Sequence, residues 1–317
     1  MMNDPRLLRC ETILSSFARE GARVAVITAK DKLLGLLSHQ LSTGIRFSAE
    51  KADRCTLAEN GIEGILSLVG MDLPGVYSAE LSYLVLRAGV KILETRWPDL
   101  MYLSLTDYMQ HKYPPGTAES EDFYRRIDLE LAKLADLGAV VALTADHGMN
   151  DKTNPDGSPK VIYLQDLLDG EFGKGSCRVI CPITDPYVAH HGSLGSFVTV
   201  YHFDHVSPIP VLEFISKLEG IERVFDQKEG EKEFELPPDR TGDLGILADA
   251  STVIGTSPLD HDLTALGNFP LRSHGGLAEQ EVPFVISRPL MDCYARRARS
   301  ERLRNFDIFD YAINGTL

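Results

Sequence analysis

The chain has 317 residues, 44% of them apolar and 25% charged, which suits one large domain or a core with an inserted subdomain and argues against wholesale disorder. With 32 basic against 46 acidic residues the formal net charge is −14, so the surface as a whole repels phosphate backbones and no nucleic-acid partner is expected. A small anionic ligand stays compatible with this balance only at a local cluster of positive charge or metal.

Asp4-Pro5 can start a helix, with Asp4 as N-cap and Pro5 in the first turn. Leu7, Leu8, Ile13, Leu14, Phe17 and Ala18 continue it at roughly helical spacing, and Gly21 ends it. Arg23 to Ala29 is a short apolar run rich in β-branched residues and reads as a buried strand. Lys30, Asp31 and Lys32 follow at once, then a helical stretch around Leu33 to Leu41. Ser78 to Thr95 has helical periodicity, Leu100 to Leu105 is a second apolar strand, and Glu119 to Leu137 is an amphipathic helix. Ala139 to Leu143 reads as a third buried strand, ending in Thr144-Ala145-Asp146-His147-Gly148. Apolar strands alternating with helices imply an α/β fold, a mostly parallel sheet flanked by helices.

After Gly148 the texture changes. Asp151 to Pro159 is dense in turn residues. Ser196 to His202 and Gly245 to Leu247 are strand candidates, Pro210 to Leu218 a helix candidate, and Asp226 to Arg240 charged and loop-like. The βα rhythm returns with a strand at Val282 to Ile286 and a helix at Arg304 to Ile313. The expected organisation is an α/β core over 1–149, an inserted α+β cap over 150–262, and the C-terminal part of the core over 263–317.

The five cysteines (Cys10, Cys55, Cys177, Cys181, Cys293) are odd in number and scattered, so no disulfide framework is expected. Cys177 and Cys181 could share a helix face, but read as small, partly buried residues rather than a metal or redox pair. No run reaches the ~18 apolar residues that span a bilayer, so no membrane partner is expected. Met1 to Cys10 lacks a basic region followed by an apolar core, and a cytoplasmic location is the expectation.

Three polar clusters directly follow the expected core strands: Lys30/Lys32, Asp107/His111 and Asp146/His147. Ligands of open parallel sheets bind at the carboxyl ends of the strands, so the clusters are expected along one sheet edge. Asp107 and His111, four apart, would face the same way on a helical turn, and a carboxylate with an imidazole suits zinc or another borderline metal. Gly148 would permit the sharp turn that lets Asp146 and His147 share one metal. His274 lies in a second glycine-rich turn, Arg272 to Gly276. Two carboxylates and three histidines suit a two-metal site. His190-His191 is a weaker candidate for a substrate-side contact. His39, His202 and His205 read as structural or surface residues, and His261 is left open.

The string Thr144 to Met149, with Leu105 to His111 before it and Ser273 to Gly276 after it, resembles the alkaline phosphatase superfamily and, within it, the phosphonoacetate hydrolase family. Val26 to Lys32, Thr106 to Pro115 and Leu271 to Pro283 carry the same likeness. The resemblance implies that Asp107, His111 and His274 hold one zinc, that Asp146 and His147 hold part of a second, and that Lys30 and Lys32 bind the anionic substrate. The implied reaction cleaves the carbon–phosphorus bond of phosphonoacetate to acetate and phosphate. The implied partner is a small anionic phosphonate; a homodimer is left open. In that family the second zinc also uses an aspartate, and the nucleophile is a threonine at a helix start; both precede the stretch that Lys30 matches. No residue of this chain matches them, and Thr28, Thr106 and Thr144 read as structural. Zinc typically takes four ligands, so Asp146 and His147 form half a site. The expectation is an N-terminally incomplete hydrolase. The alternatives are a nucleotide pyrophosphatase/phosphodiesterase with the same metal set, or a non-catalytic metal-binding remnant.

Overall fold

The structure, a computed structural model, describes residues 4–183, 191–203 and 206–317, so His190 and His205 lie outside the described residues. The chain divides into two compact units: Met1–Met109, Pro115–Leu143 and Val285–Leu317 form the first, Gln110–Pro114 and Thr144–Phe284 the second. The stretch read as a cap, 150–262, falls inside the second unit.

The first unit is built on a parallel sheet of three strands in the order Ile45–Ser48, Val24–Thr28, Leu100–Ser104. The central strand is buried along its whole length. Its side chains alternate between two apolar layers, as the strand period requires. Ala25 and Ile27 pack with Phe47, Leu81, Leu84, Val85 and Ala88. Val24 and Val26 pack on the other face with Leu14, Ala18 and Leu41. A sheet covered on both faces explains why the run carries no polar alternation, and the fold class is α/β.

The helix Glu80–Arg96 is apolar nearly all round, because one side meets the sheet layer and the other, through Val90 and Leu93, packs with Leu134. The helix Ala118–Asp136 starts at Thr117, whose side chain accepts from Ser120 N, and buries one stripe, Ser120, Phe123, Ile127, Glu130 and Leu134.

Two expectations for this unit are corrected. The first helix is not continuous: a 3-10 turn, Pro5–Leu7, is capped by Asp4, and a separate helix, Ile13–Arg19, is capped by Thr12. A second capping residue inside the periodic run breaks it. The apolar run Ala139 to Leu143 is not a buried strand. Only Ala142–Thr144 is extended, it pairs in a two-stranded ladder with Phe284–Ile286, and Val140 is exposed.

At the start of the central strand Arg23 grips Asp99, its backbone N and guanidinium both donating to the carboxylate. These bonds hold the Asp99 carboxyl down at about 2. Stability from this pair is therefore present above the unfolded value near 3.8 and is lost as pH falls through about 2. In an NMR titration Asp99 is expected to protonate near 2, and Arg23→Ala should return it toward 3.8; an unchanged midpoint in the variant would discount the pair.

The second unit holds a four-stranded sheet, all antiparallel, in the order Cys177–Ile180, Phe197–His202, Leu244–Ala248, Ile221–Asp226. Cys177 thus lies on a strand and not on a helix shared with Cys181. Burial pushes the Cys181 thiol up to about 11, so it stays protonated and a poor metal ligand at neutral pH. The expected helix at Pro210 to Leu218 spans Pro208–Ile215, starting two residues earlier on the preceding proline and ending three residues sooner. Asp226 to Arg240 is not all loop: Gln227–Phe234 is a helix with a capping box in which Asp226 accepts from Glu229 N and Glu229 from Asp226 N. The helix Asp292–Ser300, back in the first unit, was likewise not expected.

Candidate metal centre

The strand Leu100–Ser104 ends two residues before Thr106-Asp107, and the five-residue helix Tyr108–Lys112 follows. Asp107 and His111 sit four apart on this one stretch. His274 follows the two-residue strand Arg272–Ser273, which pairs antiparallel with Asn150–Asp151 just beyond His147. Asp107, His111 and His274 each offer a ligand atom, and these atoms lie within 4.8 Å of one another. One carboxylate and two imidazoles are a donor set that suits a divalent metal of borderline softness.

The tautomers fit that use. His111 is buried, and its Nδ1 is 2.8 Å from the carbonyl oxygen of Arg272. Only a protonated Nδ1 can make this bond, so the neutral ring presents the Nε2 lone pair. His147 Nδ1 likewise bonds the Gly148 carbonyl at 2.9 Å, and its Nε2 lies 3.6 Å from an Asp146 carboxylate oxygen. The Asp146 side chain is 87% exposed. Asp146 and His147 stand outside the group of three, but the His147 ring stacks on His274 with centroids 3.5 Å apart. His111 lies 5.6 Å from His274 and 4.4 Å from His191. Four imidazoles therefore form one continuous row, His147, His274, His111, His191.

Buried ions and glycines shape the loops. Arg272 donates through Nε to the Gln110 carbonyl at 2.7 Å and pairs with Asp151. Its own carbonyl takes the His111 bond, so one residue ties the His111 turn to the strand after His147. Gly148 is not among the described residues with positive φ, so the chain there does not draw on a left-handed glycine conformation. A Cβ there would sit 3.2 Å from the Glu279 carbonyl oxygen, so glycine serves close packing. Gly275, with φ of 108°, does need the freedom of glycine.

Lys30 and Lys32 stand at the end of the central parallel strand, both half-buried, with Lys30 as N-cap of the helix Asp31–Leu37. Lys30 Nζ lies 6.0 Å from the centroid of the Tyr77 ring, which packs 6.2 Å from Tyr108, the residue after Asp107. Thr28 donates its hydroxyl to the Lys30 carbonyl. His261 resolves as structural: Nδ1 bonds the Gly192 carbonyl and Nε2 accepts from Thr256 N. Sequence reasoning passed over Lys152, Arg272 and Glu279, and gave His191 only a weak substrate-side role. Nothing in their local sequence marks them, because their burial depends on loops distant in the chain.

The profile of the type I phosphodiesterase / nucleotide pyrophosphatase family matches residues 86–276, a span that takes in Asp107, His111, Asp146, His147 and His274. The phosphonoacetate hydrolase of Sinorhizobium meliloti, solved with phosphonoformate and with phosphonoacetate, superposes with a TM-score of 0.91 at 50% identity, covering 98% of this chain and 75% of that one. A phosphonoacetate hydrolase of Penicillium oxalicum is 62% identical over 29 residues, which are 9% of this chain and 40% of that protein. Murine ectonucleotide pyrophosphatase / phosphodiesterase 5 shares the fold, with a TM-score of 0.53 at 15% identity, covering 88% of this chain and 63% of that one. No helix of the described residues is long and apolar enough to cross a membrane. The chain belongs to the type I phosphodiesterase / nucleotide pyrophosphatase family, and within it to the phosphonoacetate hydrolases.

Proposed function

We propose that the chain carries the metal- and substrate-binding side chains of a hydrolase that cleaves phosphonoacetate to acetate and phosphate. The observation that carries this reading is the 50% identity, over 98% of the chain, to an enzyme solved with phosphonoacetate. In the reaction water supplies the oxygen that joins phosphorus, the carbon–phosphorus bond breaks, and a proton ends on the methylene carbon.

In this reading Asp107, His111 and His274 hold one zinc, and Asp146 with His147 contribute to a second. Bound zinc would supply positive charge against the phosphonyl oxygens and help to ionise the attacking hydroxyl. The chain's own residues do the positioning. His111 and His147 keep their Nδ1 protons on backbone carbonyls, which fixes both rings for ligation. Lys30 and Lys32 attract the anionic substrate, a local positive pair on a protein of net charge −14. This reading is supported by the contacts of Lys30 Nζ, 6.0 Å from the Tyr77 ring, and of Tyr77, 6.2 Å from Tyr108, the residue after Asp107. The nucleophile is not assigned to any residue of this chain, since Thr28 is buried under the Lys30 carbonyl. A cytoplasmic site of action belongs to the same reading.

Phosphonoacetate titrated into the zinc-loaded chain tests it. Lys30→Ala and Lys32→Ala are each expected to weaken binding about 10- to 100-fold, the worth of a charge-assisted contact of about 1.5–3 kcal/mol. Dissociation constants within twofold of the parent would remove the lysines from the site. The family profile favours a second reading, a nucleotide pyrophosphatase/phosphodiesterase. That enzyme would cleave a nitrophenyl nucleotide ester faster than phosphonoacetate, the reverse of the preference expected here.

A further inference from the structure

We propose that Glu279 is a positioning residue that holds the His147 loop and the His274 loop at a fixed separation. The proposal rests on the reading of these histidines as zinc ligands. Glu279 is buried, and both of its carboxylate oxygens are used. Oε2 accepts from Gly276 N at 2.8 Å, two residues after His274. Oε1 accepts from Asn150 Nδ2 at 2.6 Å, three residues after His147. The same Oε1 takes a bond from Lys152 Nζ at 2.9 Å, and Lys152 is 0% exposed. The Glu279 backbone carbonyl accepts from Gly148 N at 2.6 Å, immediately after His147. One residue thus touches the chain on the C-terminal side of both histidines, whose rings are stacked 3.5 Å apart.

The arrangement is more than a stabilising ion pair. A buried charge needs a partner and satisfied lone pairs, and Lys152 alone would supply the first. The bonds to Gly276 N and Asn150 go further: they set where the two loops lie. Metal-ligating histidines depend on such outer contacts for ring orientation, and losing one typically weakens metal affinity about 10- to 100-fold. Asn150–Asp151 also pairs with Arg272–Ser273, so a short ladder joins the chain just after His147 to the chain just before His274.

The test uses zinc as the probe, read by competition with a chromophoric chelator, on the full chain. Glu279→Gln keeps the shape but presents a donor where Gly276 N also donates, and leaves Lys152 buried without a counter-charge. Because the lone buried charge destabilises that variant, K152M/E279Q removes both charges together and preserves volume. The expected result is a zinc affinity about 10- to 100-fold weaker than the parent in the double variant, with the metal-free melting temperature near that of the parent. Zinc affinity within twofold of the parent in a folded double variant would make Glu279 a structural residue only and overturn the proposal. Zinc binding is read without substrate, so a chain that binds zinc in this Glu279-dependent way yet rejects phosphonoacetate would overturn the functional reading and leave the positioning role standing.

Discussion

On the proposed reading of Asp107, His111 and His274 as zinc ligands, His111→Ala is expected to abolish tight zinc binding. The substitution leaves Asp107 and His274 as the remaining donors of a group of three. Loss of an outer partner weakens metal affinity about 10- to 100-fold, and loss of a direct ligand should exceed that, at about 1000-fold or more. The ring is also buried and bonded to the Arg272 carbonyl, so its removal frees that carbonyl as well. His261→Ala is the control. His261 is also buried, but both its nitrogens are spent on Gly192 and Thr256. Its loss should lower stability and leave zinc affinity within a few-fold. If His111→Ala held zinc as tightly as the parent while His147→Ala released it, the centre would have to be rebuilt around Asp146 and His147.

Lys152→Ala should be the most damaging change to stability outside the apolar core. The ammonium is enclosed, bonded to Glu279 and to the Ala250 carbonyl at 2.9 Å each. Removing it leaves the Glu279 carboxylate buried without its counter-charge and opens a cavity where the lysine stem lay. Breaking one side of a buried pair costs about 3–5 kcal/mol, a large share of the about 5–15 kcal/mol that holds a typical domain. Urea unfolding of the metal-free chain measures it. A loss under about 1 kcal/mol would mean that water enters and solvates the carboxylate.

Two strands of the parallel sheet were legible because they are short apolar runs bounded by polar clusters that fall where the strands end; the third, Ile45–Ser48, alternates apolar with polar over four residues and was not expected. Val24–Thr28 and Leu100–Ser104 lie inside the expected runs. Apolar periodicity found the helices Glu80–Arg96 and Ala118–Asp136 for the same reason. The helix after Asp226 was missed although its Asp226/Glu229 capping box is written in the sequence, because the segment's charge outweighed it. The grouping of Asp107 with His111 follows from a spacing of four on a short helix.

The addition of His274 could not come from spacing; it came from motif resemblance, and the structure brings the three together. The supporting layer was illegible. Glu279, Lys152 and Arg272 look like surface charges in a chain that is 25% charged, and only tertiary contacts over more than 100 positions bury them. His191 is similar: its place against His111 depends on a loop that carries no periodic signal.

In the proposed function the chain recognises a small phosphonate through zinc and lysine. Competition between phosphonoacetate and a nucleoside monophosphate for the zinc-loaded chain, repeated after the metal is stripped, tests it most directly. Preference for phosphonoacetate by tenfold or more, lost on removal of zinc, is the predicted result. Tighter binding of the nucleotide, or phosphonoacetate binding that survives without metal, would contradict it.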